Sequence, residues 1–361
     1  MMKKSVLLSF MLLTLMIAAC GSRPTGTSVE SEDVPEEPEV VELTVMSHDS
    51  FAVSEDVIAE FESENQAKVR FLKSGDTGAA INRAILSSQP LADVFFGVDN
   101  TFLSRALEAD LFEPYDSPLL DQIPDEFQLD PGNEALPVDY GDVCINYDKA
   151  YFEQNNLPLP QSLQELTDPI YKGLLVVENP ATSSPGLAFM FATISQFGEE
   201  GYLDYWQALR DNDVVVVNDW ETAYYANFSA SSGRGPQPMV VSYGSSPPAE
   251  VIYASEPLDE APTASLVGPN MCFRQIEFVG ILKGTQNRDL AEKFIDFMLG
   301  LSFQEDLPLQ MFVFPVNPGA ALPGEFVMYA QIPEQPATLD PELISAKREQ
   351  WIQDWEEVVL R

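Results

Sequence analysis

The chain has 361 residues, 57 acidic against 19 basic, and a formal net charge of -38 at neutral pH. That charge argues against nucleic acid and anionic lipid surfaces as targets, because both need basic patches. With 45% hydrophobic residues, it is long enough for one large domain or two lobes with separate cores.

Lys3 and Lys4 precede an apolar run, Val6 to Ala19, which is too short for a mature membrane span and fits a signal-peptide core. The run ends in Ile17-Ala18-Ala19-Cys20, the small-residue pattern of a lipoprotein signal. Residues 1–20 are therefore expected to be a signal, with lipid on Cys20 anchoring an extracytoplasmic product to the membrane. Residues 21–40 are Gly, Ser, Thr, Pro and acid, including Glu30, Glu32, Asp33, Glu36, Glu37 and Glu39. Too little apolar surface is present there to offset ordering entropy, so the segment reads as an extended tether.

From Leu43 onward short β-branched runs alternate with amphipathic stretches. Strands are expected at Leu43–Met46, Lys68–Leu72 and Ala92–Gly97, and helices at Ser54–Asn65, Thr77–Ser88 and Thr101–Ala109. A second set has strands at Leu174–Val177, Val214–Val217 and Met239–Ser242. Its helices are expected at Ser184-Pro185 onward, with Ser184 as cap, at Tyr202–Arg210 and at Trp220–Phe228. A Ser/Gly/Pro loop spans Ser229–Pro238, and helices are expected at Asp289–Leu299 and from Pro341 to Val358. In the last of these, Trp351 and Trp355 share one face and read as core. The rhythm implies an α/β fold with mostly parallel sheets flanked by helices.

Two extended stretches of mixed polarity, Val138–Tyr147 and Phe273–Lys283, read as crossings between lobes. They divide the chain into one lobe of residues 41–138 plus 273–305 and another of 139–272 plus 306–361. Cys144 lies on the first crossing and Cys272 at the start of the second, so a disulfide between them is expected. Open α/β sheets bind ligands at the carboxyl ends of their strands. The loops expected there are rich in aromatics, Ser, Gly and Asp: His48 to Phe51, Ser74 to Gly78, Gly97 to Asn100, Thr182 to Gly186, Asp219-Trp220 and Tyr243 to Pro247.

These residues carry a resemblance. Ser47-His48-Asp49-Ser50-Phe51, ADVFFGVDN at Ala92–Asn100, DYG with NYDK within Asp139–Lys149, NPATSSPG at Asn179–Gly186, SYGSSPP at Ser242–Pro248 and FVFPV at Phe312–Val316 are together specific. The chain resembles the thiamine-binding receptors of ABC importers, over Leu43 to Arg361. The resemblance implies the two-lobed type II periplasmic-binding-protein fold, with thiamine or its phosphates gripped between the lobes. It also implies delivery to an ABC permease and ATPase. No enzymatic activity and no cofactor are expected, and the receptor is expected to be a monomer.

Thiamine joins a flat aminopyrimidine to a permanently cationic thiazolium, so its site needs aromatic faces, a carboxylate and hydrogen-bond partners. In the family pattern Asp76, Trp220 and Tyr243 fall on ligand-contacting positions. Tyr224, Phe273 and Phe312 are further candidate rings, Asp49 and Asp99 further acids at strand ends, and Ser183, Ser184, Ser245 and Ser246 candidate hydroxyls. His48 stands where relatives carry Tyr, Phe312 where they carry Trp, and Ala249 where they carry Tyr.

Three alternatives stand beside this reading. A ferric receptor of the same fold would use Tyr224, Tyr225 and His48, hard ligands suited to Fe³⁺. A thiaminase-I-like enzyme would use Cys144 as nucleophile, although no Cys–His pair is visible. A receptor for spermidine or a sugar would use the same kinds of residue, and only ligand identity separates it.

Overall fold

Val94–Asp99, Leu175–Glu178 and Met239–Tyr243 are apolar runs with little alternation, as expected for parallel strands covered on both faces, whereas Ala67–Lys73 alternates apolar with polar residues. In the computed structural model, which describes residues 40–230 and 234–361, strands alternate with helices. The signal sequence, Cys20, the acidic tether and residues 231–233 of the Ser229–Pro238 loop lie outside the described residues. In chain order come β1 (Val41–Ser47), α1 (Glu55–Asn65), β2 (Ala67–Lys73), α2 (Thr77–Leu86), β3 (Val94–Asp99), α3 (Leu103–Glu108) and the short β4 (Phe112–Glu113). Next are β5 (Leu136–Asp148), α4 (Lys149–Asn155), β6 (Leu175–Glu178), α5 (Ser184–Asp211), β7 (Val215–Val217) and a π-helical turn, Thr222–Asn227. Then follow β8 (Met239–Tyr243), α6 (Pro247–Ile252), β9 (Thr263–Leu266) and β10 (Phe273–Leu282). The chain continues through α7 (Arg288–Leu299), α8 (Leu301–Gln310), β11 (Phe314–Pro315), α9 (Gly324–Tyr329) and α10 (Pro341–Val359).

The strands order as β2-β1-β3-β10-β5-β8-β6-β7. At one end β1 pairs parallel with β2 and β3, and at the other β6 pairs parallel with β7 and β8. The two long strands between them, β5 and β10, run antiparallel to each other and to their neighbours. These are the two extended stretches expected from the sequence, seen as the middle of one continuous sheet. Cys144 on β5 is disulfide-bonded to Cys272, the residue before β10.

Helices cover both faces. Phe61 of α1, Phe294 of α7 and Phe303 of α8 pack over Val45, Val94 and Val279. Trp206 of α5 meets Trp355 of α10 edge to face at 5.3 Å, and Trp351 meets Phe191 at 5.9 Å, so the Trp351–Trp355 pair is core.

Three of the expected helices differ in the structure. The helices expected at Ser184 and at Tyr202 form one element, α5, broken at Gly198, whose φ of +72° only glycine adopts without strain. Ser183, not Ser184, occupies its cap position, and Pro185 sits in the first turn, where a missing N–H costs nothing. The helix expected at Trp220–Phe228 is a π-helical turn over most of its length. Helix α8 runs through Pro308, a residue that reads as a breaker when only the sequence is in view.

Candidate functional site

A cavity of about 700 Å³ opens where the carboxyl ends of β1 and α2's amino end face α5, the π-helical turn and α6. His48, Ser50, Asp76 and Thr77 line one side, and Ser184, Trp220, Tyr224, Tyr225, Tyr243, Ser246, Ala249, Glu250 and Tyr253 line the other. Glu277 of β10 and Gln310 to Val313, at and just past the end of α8, add to the wall.

The rings are organised by the chain itself. Trp220 stacks on Tyr224 with centroids 5.0 Å apart and planes 22° apart, and Tyr225 closes edge-on at 5.6 Å. Trp220 Nε1–H donates to Ser242 Oγ at 2.9 Å, which lies 3.0 Å from Ser246 Oγ. Tyr224 OH donates to Glu250 Oε1 at 2.7 Å. Tyr243 lies across Gly141, where a Cβ would come within 2.8 Å of its ring, and donates its hydroxyl proton to Gln275 Oε1 at 2.9 Å. Phe312 meets Tyr253 edge-on at 5.6 Å and holds φ at +56°, a left-handed conformation costing about 1 kcal/mol or more for a side chain of this kind.

The polar groups are as specific. Asp76 caps α2: Oδ1 accepts the Thr77 N–H at 2.9 Å, while Oδ2 is shielded from water and has no hydrogen-bond partner. Burial pushes its pKa up. Ser183, the Thr77 N–H, His48 and the Trp220 N–H act against that rise, although Ser183 and Trp220 make no hydrogen bond of normal geometry with it. His48 follows β1 and is held over Gly97, where a Cβ would stand 2.4 Å from the ring and φ is +95°. Its Nε2 is 3.4 Å from Glu277 Oε1, an ion pair when protonated but not a hydrogen bond. Burial lowers the His48 pKa; the charge of Glu277, then its proximity as an acceptor, and the fields of Asp76 and Asp99 outweigh this and leave it raised.

Of the residues singled out from sequence, His48, Asp76, Ser184, Trp220, Tyr224, Tyr243, Ser246 and Phe312 meet on the cavity wall. Asp49 does not; it is exposed and its Oδ1 accepts the Gly75 N–H at 2.8 Å, tying two loops together. Asp99 is fully buried behind the wall, its Oδ1 accepting from the Thr101 N–H, and burial raises its pKa to about 7. Ser183 and Ser245 are buried just behind the wall with unpartnered hydroxyls. Phe273 is corrected: it lies outside the cavity wall, four residues along β10 from Glu277, and packs edge-on against Phe191 of α5 in the core. Glu250, Tyr253 and Glu277 were not anticipated. Tyr253 lies four residues after Ala249, one helical turn on, and that spacing was the available signal.

The bond to Cys272 occupies the Cys144 thiol, which removes the nucleophile that a thiaminase-like mechanism needs.

Fold and cavity together define a solute receptor of the type II periplasmic-binding-protein class. A family model described as bacterial extracellular solute-binding protein matches residues 89–326, and the chain belongs to that family. The thiamine-binding periplasmic protein of Brucella suis is 31% identical over 327 residues, covering 87% of this chain and 90% of that protein. A solved periplasmic thiamin binding protein superposes with a TM-score of 0.78 at 25% identity, covering 90% of this chain and 98% of the other. A ferric binding protein from Campylobacter jejuni superposes with a TM-score of 0.70 at 18% identity, covering 88% and 99%, a likeness of fold alone.

Proposed function

We propose that this receptor binds thiamine in the cavity and presents it to an ABC permease, and that lipid on Cys20 keeps it at the membrane. The observation that carries the reading is the wall: the stacked Trp220–Tyr224 pair stands beside Asp76 Oδ2, a shielded carboxylate oxygen without a partner. No lysine or arginine is among the described residues of that wall, so its charge suits a cation. Aromatic faces attract a thiazolium through their quadrupoles, and removal of water strengthens that attraction. Ser184 and Ser246 offer hydroxyls to the pyrimidine edge. Tyr253 supplies a ring one turn beyond Ala249, where the family pattern has Tyr. Relatives named for thiamine binding support the choice of ligand.

Closure of the two lobes on β5 and β10 would exclude water from the cation, shifting the open–closed equilibrium by the ligand's differential affinity for the two forms. Isothermal titration with thiamine, thiamine monophosphate, thiamine diphosphate and spermidine tests the proposal. Saturable heat with a thiamine form and none with spermidine is expected; silence with all three thiamine forms refutes it. A ferric receptor, the alternative raised by the iron-binding neighbours of this fold, would instead develop a visible tyrosinate charge-transfer band on adding ferric citrate.

A further inference from the structure

Three carboxylates stand in a row across the middle of the sheet. Glu277 on β10 is directly opposite Asp99 on β3 and directly opposite Asp139 on β5. Cross-strand partners share a face, and like charges so placed repel. Asp99 and Asp139 are fully buried, and Glu277 shows one edge to the cavity. Neither oxygen of Asp139 receives a hydrogen bond from any N–H or O–H donor, and the group facing it is the Glu277 carboxylate. Two facing carboxylates bond only through a shared proton.

The surroundings offer little compensation. His48, at the end of β1, faces Glu277, and Asp76, at the start of α2, adds a fourth acid. Tyr243 of β8 faces the row with a neutral phenol, Glu178 of β6 acts on Asp76, and Arg348 of α10 reaches Asp99 only through its field. Two buried donor atoms at this floor, His48 Nε2 and Gln275 Nε2, have no hydrogen-bond partner. Among the described residues no group of three or more His, Cys, Asp or Glu side chains is placed to hold a metal ion.

We propose that the Asp99–Glu277–Asp139 row is a proton store that the cationic ligand discharges: the empty receptor keeps a proton on the row, and a bound cation takes its place. The balance is simple: the cation enters, one proton leaves through the cavity mouth, and the net charge of the site is unchanged. Burial raises the pKa of Asp99 and Asp139, which lets the empty site hold the proton near neutral pH. A neutral ligand displaces nothing, so the row favours cations over neutral rings of equal shape. Asp99 and Asp139 act through Glu277 and do not touch the ligand. The inference rests on the cationic ligand proposed above.

The test is calorimetry of the full chain with thiamine in buffers of different ionisation enthalpy. The slope of observed heat against buffer enthalpy is expected to give roughly half to one proton released per thiamine near neutral pH. Affinity should rise with pH, by up to about tenfold per unit for each proton displaced. A neutral aminopyrimidine should give no buffer dependence. Asp139→Asn should bind thiamine with the proton release at least halved; Asp99→Asn serves if that variant does not fold. Binding with a buffer-independent heat and a flat pH profile overturns the proton store and leaves the thiamine reading intact. Absence of thiamine binding in every buffer overturns both.

Discussion

Trp220→Ala is the most direct probe of the wall. The indole gives one face to Tyr224 at 5.0 Å and the other to the cavity, and its N–H is held by Ser242. Removing it deletes a desolvated cation–π or stacking contact, about 1–2 kcal/mol. It also leaves the Ser242–Ser246 pair without its donor at the edge of the site, about 1 kcal/mol more. The sum of about 2–3 kcal/mol corresponds to roughly 30- to 150-fold weaker thiamine binding. Trp220→Phe keeps a ring but loses the Ser242 bond, and about a fivefold loss is expected, near 1 kcal/mol. Calorimetric titration of both variants, with circular dichroism to check the fold, measures the difference. If the alanine variant binds within twofold of the parent, Trp220 is packing and Tyr224 alone is the platform, and the reasoning fails.

Asp76→Asn keeps an acceptor for the Thr77 N–H and removes the charge. It should weaken thiamine more than a neutral pyrimidine fragment, and an equal loss for both would remove Asp76 as counter-charge. Gly97→Ala forces a Cβ against the His48 ring at a positive φ. It should cost about 1–2 kcal/mol in backbone strain alone, read by urea denaturation, and should shift the His48 ring resonances; unchanged stability would sink the claim. The raised pKa values of His48, Asp99 and Asp139 mean that the folded, empty protein binds more protons than the unfolded chain. Their stabilisation is complete below the unfolded carboxylate range and is lost as pH rises through the raised folded values, about 7 for Asp99, so the melting temperature should fall between pH 5 and 8. Asp139→Asn should flatten that fall, and an identical profile in the variant would assign it to the surface charge instead.

Much of the architecture was legible because its signals are local. Alternation of β-branched runs with 3.6-residue patterns marks the parallel units, and mixed-polarity strands mark β5 and β10. Loop chemistry at strand ends brought His48, Asp76, Trp220, Tyr243 and Ser246 forward, because an open α/β sheet collects those ends at one opening. Phe273 escaped that logic: it shares the alternating face of Glu277 but lies four residues away along β10, where Phe191 covers it, and only tertiary packing decides that. Tyr224 and Tyr225 show the same limit. The π-helical turn puts both on the wall, with Tyr224 buried against Glu250 and Tyr225 half-exposed.

The sequence by itself determined the alternation of elements, the two crossings, the acidic character and the stock of aromatic residues at loop positions. Each is a matter of composition or of neighbours a few residues apart. Only the tertiary structure decided that Asp99, Asp139 and Glu277 meet. They come from three strands far apart in the chain, and an irregularity between Glu277 and Phe278 is built into the register that aligns them. A one-residue slip would send every side chain to the other face, so no local pattern carries this information. Pairing across the sheet does, and it turns three unremarkable acids into the floor of a binding site.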